Sequence, residues 1–178
     1  MTVSEIAAQN AAACISPAKT FNMAGMVDAM TIIPNEADRH QFHDFAHRYQ
    51  INKINVFASI ATETAYKEGA DWLDALLIYL HGNVDLIREY LQANDINVSL
   101  IDPEGTFLVW LDFRELGLDA KALERFLAHE AKIALAPGYW FGREGAGFAR
   151  MTVGCPRSTL KRALDNLAVA VKGLSLDE

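Results

Sequence analysis

The sequence predicts an α/β chain, and three features of its patterning say so. Two short apolar runs flank a polar turn near the N-terminus, three helical patterns follow, and after Asn94 strand and helix signals alternate. Of the 178 residues, 51% are apolar and 22% charged, the balance of a packed core rather than a disordered chain. That length suits one ordinary domain, or one small domain with part of another.

Val3 to Gln9 reads as a short helical turn. Ala11 to Ile15 and Val27 to Ile33 are apolar runs of the kind that becomes buried strands, joined by a turn that carries Lys19. Asn35 offers a helix N-cap, with Phe42, Phe45, Ala46 and Tyr49 recurring along one face. A second helical pattern covers 54–67 (Ile54, Phe57, Ala58, Ala61, Ala65) and closes at Gly69. From Asp71 a long helix carries Trp72, Leu73, Leu76, Leu77, Leu80, Val84, Ile87 and Leu91 as one stripe. Gly82 inside it costs about 1 kcal/mol relative to alanine unless packing compensates.

Asn97 to Ile101 and Thr106 to Phe113 read as strands joined by the turn Asp102-Pro103-Glu104-Gly105. Asp119 caps a helix that turns Ala122, Leu123, Phe126, Leu127 and Ala131 inward. A short strand over Lys132 to Ala136, a loop rich in glycine, a last strand over Phe148 to Val153 and an amphipathic helix through Leu160, Leu164, Leu167 and Val171 complete the order. The first two strands have no obvious further partners, and two strands alone are marginal. The sequence therefore reads as incomplete at its N-terminal end.

A net charge of −7 gives no reason to expect nucleic acid or an anionic membrane as partner. Cys14 and Cys155 follow no metal spacing and are expected to be reduced thiols. No apolar run approaches the roughly 20 residues that cross a bilayer, and residues 1–10 lack the pattern of a secretory signal. The expectation is a cytoplasmic protein.

Lys19 is the leading candidate for chemistry. A lysine on a turn between two buried strands stands at the edge of a core, where desolvation favours the neutral, nucleophilic amine that a Schiff-base lysine uses. The alternative is a surface lysine on a connecting loop. His40, His43 and His47 share one side of a helix. With Phe42, Phe45 and Tyr49 opposite and no ligand pattern to complete a site, they read as its solvated face, and no metal is expected.

Ser16-Pro17-Ala18-Lys19-Thr20-Phe21-Asn22 resembles the cofactor-lysine loop of pyridoxal-phosphate enzymes of the aspartate-aminotransferase fold. That loop reads Ser-x-x-Lys, then a small or polar residue and Phe-Asn. Two further patches follow in the family's order. Gly69 to Leu80 resembles the helix linking large and small domains, and Ala136-Pro137-Gly138 through Arg150 to Ser158 resembles the small domain. Within the superfamily the later patches, with Pro103 to Asp112, are most similar to bacterial cystathionine β-lyases. The implied fold is the C-terminal part of the aspartate-aminotransferase fold. Residues 1–68 would end the large-domain sheet, 69–94 form the linking helix, and 95–178 make a small α/β domain.

The resemblance implies that Lys19 binds pyridoxal 5′-phosphate covalently and shuttles the Cα proton, that Ser16 hydrogen-bonds the phosphate, and that Arg150 grips the substrate carboxylate. The implied reaction is α,β-elimination from a cysteine conjugate such as cystathionine, giving a thiol, pyruvate and ammonia, in a homodimer. Plain rivals stand beside these roles. Arg150 could be a surface arginine on an edge strand, Arg157 could be the carboxylate ligand, and Ser16 could only satisfy a turn. Tyr139, Trp140 and Phe141 could wall a pocket or merely pack, and Asn55 to Ser59 falls where relatives send a loop into the neighbouring subunit. The residues that grip the phosphate, stack on the ring and hold its nitrogen precede this segment in the family, so the 178-residue chain alone is expected to be inactive. Val27 and Thr152 replace the arginine and asparagine common at those places. An aminotransferase is the alternative activity, and a non-catalytic, oligomerising domain the alternative class.

Overall fold

Ser4 accepts from the Ala7 amide and starts α1 (Glu5–Gln9) in a computed structural model that describes residues 3–53 and 55–174. The strands β1 (Ala13–Ile15) and β2 (Met30–Ile32) pair antiparallel with each other, Cys14 opposite Thr31. Both are shorter than their apolar runs suggest. Residues 24–26 form a 3-10 turn, and Val27 leaves it in the left-handed region at φ 52°. The strands are also largely exposed, against the expectation of buried ones, because no described element of their unit covers them.

Asn35 caps α2 (Glu36–Arg48) by accepting from the Asp38 amide, and Asn55 caps α3 (Val56–Glu68) by accepting from Phe57. Ile54, which the helical pattern includes, lies outside the described residues. The apolar face predicted for α2 exists, but only Ala46 on it is buried, while Phe42, Phe45 and Tyr49 are about half exposed or more. Gly69 ends α3, and α4 (Ala70–Ala93) follows at once. The chain divides into two compact units, the first running to Ala75 and the second from Leu76.

In the second unit β3 (Ser99–Ile101), β4 (Leu108–Asp112), β5 (Ala136–Pro137) and β6 (Phe148–Thr152) form an antiparallel sheet in the order β3-β4-β6-β5. Alternation sends Val109, Leu111, Ala149 and Met151 to one face, where they are buried. There they join Leu80, Val84, Ile87 and Leu91 of α4, Leu123 of α5 (Ala120–Arg125), and Leu160, Leu164 and Leu167 of α6 (Arg157–Leu174) in one core. Asp119 caps α5 with two amides, as its position predicts. The helix then widens into a π turn over Phe126–Glu130.

The strand expected over Lys132 to Ala136 is reduced to Ala136–Pro137. Lys132 is left-handed at φ 53°, and the Ile133 amide is already donated to the Leu127 carbonyl, so pairing with β6 begins only at Ala136. The glycine-rich stretch folds as two 3-10 turns, Gly138–Phe141 and Arg143–Gly145. Gly138 and Gly145 lie back to back, where a Cβ on either would overlap the other's carbonyl.

Candidate functional site

Two of the predicted site residues share one loop of the first unit. Pro17 is fully buried and fixes the loop where it leaves β1. Ser16 closes it by donating through Oγ to the Asp28 carbonyl (2.6 Å) while accepting from the Ala18 amide (3.2 Å). The amides of Phe21 and Met23 return to the carbonyls of Pro17 and Ala18 at 2.9 Å each, wrapping the loop into helical turns. At its far side the Phe21 ring stacks on Trp72 (6.2 Å) and meets Tyr66 edge-on (5.8 Å). Lys19 stands on this wrapped loop with its side chain exposed, and no described residue hydrogen-bonds or ion-pairs with its amine. The desolvation expected for it is therefore not present, since β1 and β2 lie open on either side.

Ser16 performs the turn-closing role that its position also allows. Its single hydroxyl proton is committed to a carbonyl, so an acceptor such as a phosphate oxygen could take that proton only after Ser16 releases Asp28.

Arg150 lies in the second unit, on the sheet face opposite the core. It is not on an edge: β6 runs between β4 and β5, with Trp110 and Ala136 as the cross-strand neighbours of Arg150. The guanidinium rests over the Phe141 ring at 4.4 Å and forms no ion pair with any described acid. Phe141 meets Trp110 edge-on at 5.7 Å, Trp110 stacks on Phe148 at 5.8 Å, and Arg114 covers Phe148 at 4.8 Å. Arg114 is paired with Asp112 and Arg150 is not. The result is an aromatic floor with one cation left available. Of the three aromatics in the glycine-rich turn, Phe141 faces this surface. The Tyr139 hydroxyl instead accepts from Lys121 (2.6 Å) and donates to Glu124 (2.8 Å).

Arg157 is exposed at the start of α6, yet its side chain is tied back to α4. Its Nε donates to Asn83 Oδ1 at 3.1 Å, and its guanidinium lies 5.0 Å from the Tyr79 ring centre. Asn83 is the residue that sequence reasoning missed. Fully buried, it donates to the carbonyls of Val153 (2.8 Å) and Cys155 (3.2 Å) and so pins the turn that follows the Arg150 strand. The signal was present as a Gly82-Asn83 pair interrupting a leucine stripe. A Cβ at Gly82 would overlap the end of the Arg157 guanidinium, which would have to shift to admit it.

Among the described residues no group of three or more His, Cys, Asp or Glu could hold a metal ion, and no helix is long and apolar enough to cross a membrane. The three α2 histidines are exposed, with His40 3.6 Å from Glu36.

Residues 2–167 match the family Aminotransferase class I and II. The chain belongs to that family. It is 36% identical to Protein MalY of Escherichia coli over 172 residues, which is 96% of this chain and 44% of MalY. It is 34% identical to cystathionine beta-lyase PatB of Bacillus subtilis over 158 residues, 89% of this chain and 41% of PatB. Among solved structures, cystalysin of Treponema denticola, which contains a pyridoxal 5′-phosphate cofactor, superposes with a TM-score of 0.89 at 32% identity. That match covers 97% of this chain and 44% of cystalysin. The chain thus spans less than half the length of these family members, and its mixed helix and strand architecture is that of the aminotransferase fold.

Proposed function

We propose that this chain contributes the cofactor lysine and the substrate-carboxylate arginine of a pyridoxal-phosphate-dependent carbon–sulfur β-lyase. The observation that carries the reading is Lys19: an amine with no partner among the described residues, on a loop pinned at both ends, in a chain of this family. In this reading residues 1–68 finish a large domain, 69–94 link it to the rest, and 95–178 form the small domain. The relatives' greater length supports a further inference: the chain alone is inactive, and polypeptide outside these 178 residues contributes the contacts to the ring and phosphate.

The residues present fit the cofactor at two points. Lys19 has a primary amine that could attack an aldehyde, and Arg150 has a guanidinium that no described acid neutralises. When bound, pyridoxal 5′-phosphate supplies an electron sink for the pair left at Cα. Lys19 Nζ would hold the cofactor through its aldehyde carbon and, once free of it, would take the Cα proton. Arg150 grips the α-carboxylate with two parallel N–H donors, which fixes the rotation about Cα and so selects the bond that breaks. Phe141 supports the guanidinium, and with Trp110, which meets it edge-on, would give the substrate side chain an apolar wall. The proton leaves Cα, the thiolate leaves Cβ, and with water the products are a thiol, pyruvate and ammonia. A cysteine conjugate such as cystathionine is the proposed substrate class, in a cytoplasmic homodimer.

The test is a fusion of this chain behind the part of PatB that it does not match. Pyruvate release from cystathionine that disappears in Lys19→Ala is the expected result. A folded fusion that binds the cofactor but transfers amino groups to 2-oxoglutarate, releasing no pyruvate, would replace the lyase with an aminotransferase.

A further inference from the structure

Asp28 joins the Lys19 loop to helix α3. Its carbonyl accepts from Ser16 Oγ at 2.6 Å, and its carboxylate accepts from Thr62 Oγ1 at 2.5 Å. Thr62 is buried on α3, a turn along from buried Ala58. A threonine inside a helix commonly bonds a carbonyl of its own preceding turn. The Thr62 hydroxyl instead donates to a residue 34 positions away. The chain reaches Asp28 through Val27, a β-branched residue held at φ 52° and 88% exposed. Such a conformation persists only where its surroundings impose it, and no side-chain packing at Val27 accounts for it. What the turn achieves is to present one residue, Asp28, to two hydroxyls.

We infer that Thr62 and Asp28 are positioning residues for Lys19, acting through Ser16. The hydroxyl of α3 holds the Asp28 carboxylate, the Asp28 carbonyl holds Ser16, and Ser16 holds the first turn of the loop through the Ala18 amide. Phe21, seated against Tyr66 and Trp72, fixes the other side. Lys19 stands between these two anchors. The inference rests on the reading of Lys19 as the cofactor lysine.

The experiment compares Thr62→Val, which keeps the shape and removes the hydroxyl, with Thr62→Ser, which keeps the hydroxyl. Amide exchange is read at Ala18, Phe21 and Met23, and cofactor capture as the fraction of Lys19 carrying pyridoxal 5′-phosphate after borohydride. Thr62→Val is expected to speed those amides about tenfold, leaving β4 and β6 amides unchanged. It should also lower capture about fivefold, and Thr62→Ser should restore both. Should Thr62→Val fail to fold, Asp28→Ala cuts the same connection and is read at Phe21 and Met23. Unchanged exchange and capture in the valine variant, or equal losses in the serine variant, would overturn the inference. If the unmutated chain captures no cofactor at Lys19, the cofactor reading fails and the exchange data alone decide whether the loop is held this way.

Discussion

The carboxylate-binding role proposed for Arg150 would depend on a planar group lying flat on a ring while its edge stays free. Lysine can keep the charge but not the two parallel donors. On that proposal, Arg150→Lys in the PatB fusion is expected to raise KM for cystathionine about tenfold or more, with a smaller change in kcat, in steady-state assays. Below that site, hydrogen bonds from the Arg114 side chain hold the Asp112 carboxyl below its usual range, opposed by its partial burial. A depressed carboxyl contributes stability that is present above its unfolded pKa and is lost as pH falls through the lower folded value. Arg114→Met should therefore remove stability at neutral pH and flatten the acid limb of the unfolding profile. Tyr90 works in the opposite direction: burial, then its hydrogen bond to Asp165, push the phenol up to about 12. The folded state keeps that proton longer than the unfolded chain, so stability should fall between about pH 10 and 12. In a phenolate absorbance titration Tyr90 should ionise near pH 12, and Tyr90→Phe should remove that step.

Among elements, the turn from β6 into α6 shows how far patterning could be read. Apolar spacing located α4, β6 and α6, because burial on one face imposes a period on the sequence. It did not reveal Asn83, whose value lies in three partners distant in sequence. Asn83→Ala strands the Val153 carbonyl, leaves the Cys155 carbonyl to the Tyr79 hydroxyl and frees the Arg157 Nε, and should cost about 1–3 kcal/mol in denaturant unfolding. Gly82 shows the same limit. Propensity alone promises about 1 kcal/mol for Gly82→Ala, but the new methyl would displace Arg157 from Asn83. A double-mutant cycle should show Gly82→Ala stabilising only where Arg157 is already alanine. The Lys19 loop was legible as a motif, whereas its anchors were not. Thr62 looks like any small helix residue until Asp28 is brought beside it, and the open setting of β1 and β2 depends on what covers them, which their apolar composition does not specify.

Over the whole molecule, the two units differ in how much apolar surface they leave to water. The second buries a continuous core between one face of its sheet and its helices. The first exposes Ile15, Ile32, Phe45, Tyr49, Phe57 and Ile60 by 42 to 76% each, large apolar side chains left to water. Limited proteolysis should accordingly cut within residues 3–53 before it cuts within β4, β6 or α6, and a hydrophobic dye should bind the chain with the fluorescence of an exposed apolar face. The central claim is that position 19 holds the cofactor. It is tested most directly by incubating the chain with pyridoxal 5′-phosphate, reducing with borohydride and mapping the modified peptide by mass. The account predicts attachment at Lys19 and its loss in Lys19→Ala, with the pattern at other lysines unaltered. Attachment spread over exposed lysines such as Lys53 and Lys67, with none at Lys19, would contradict it.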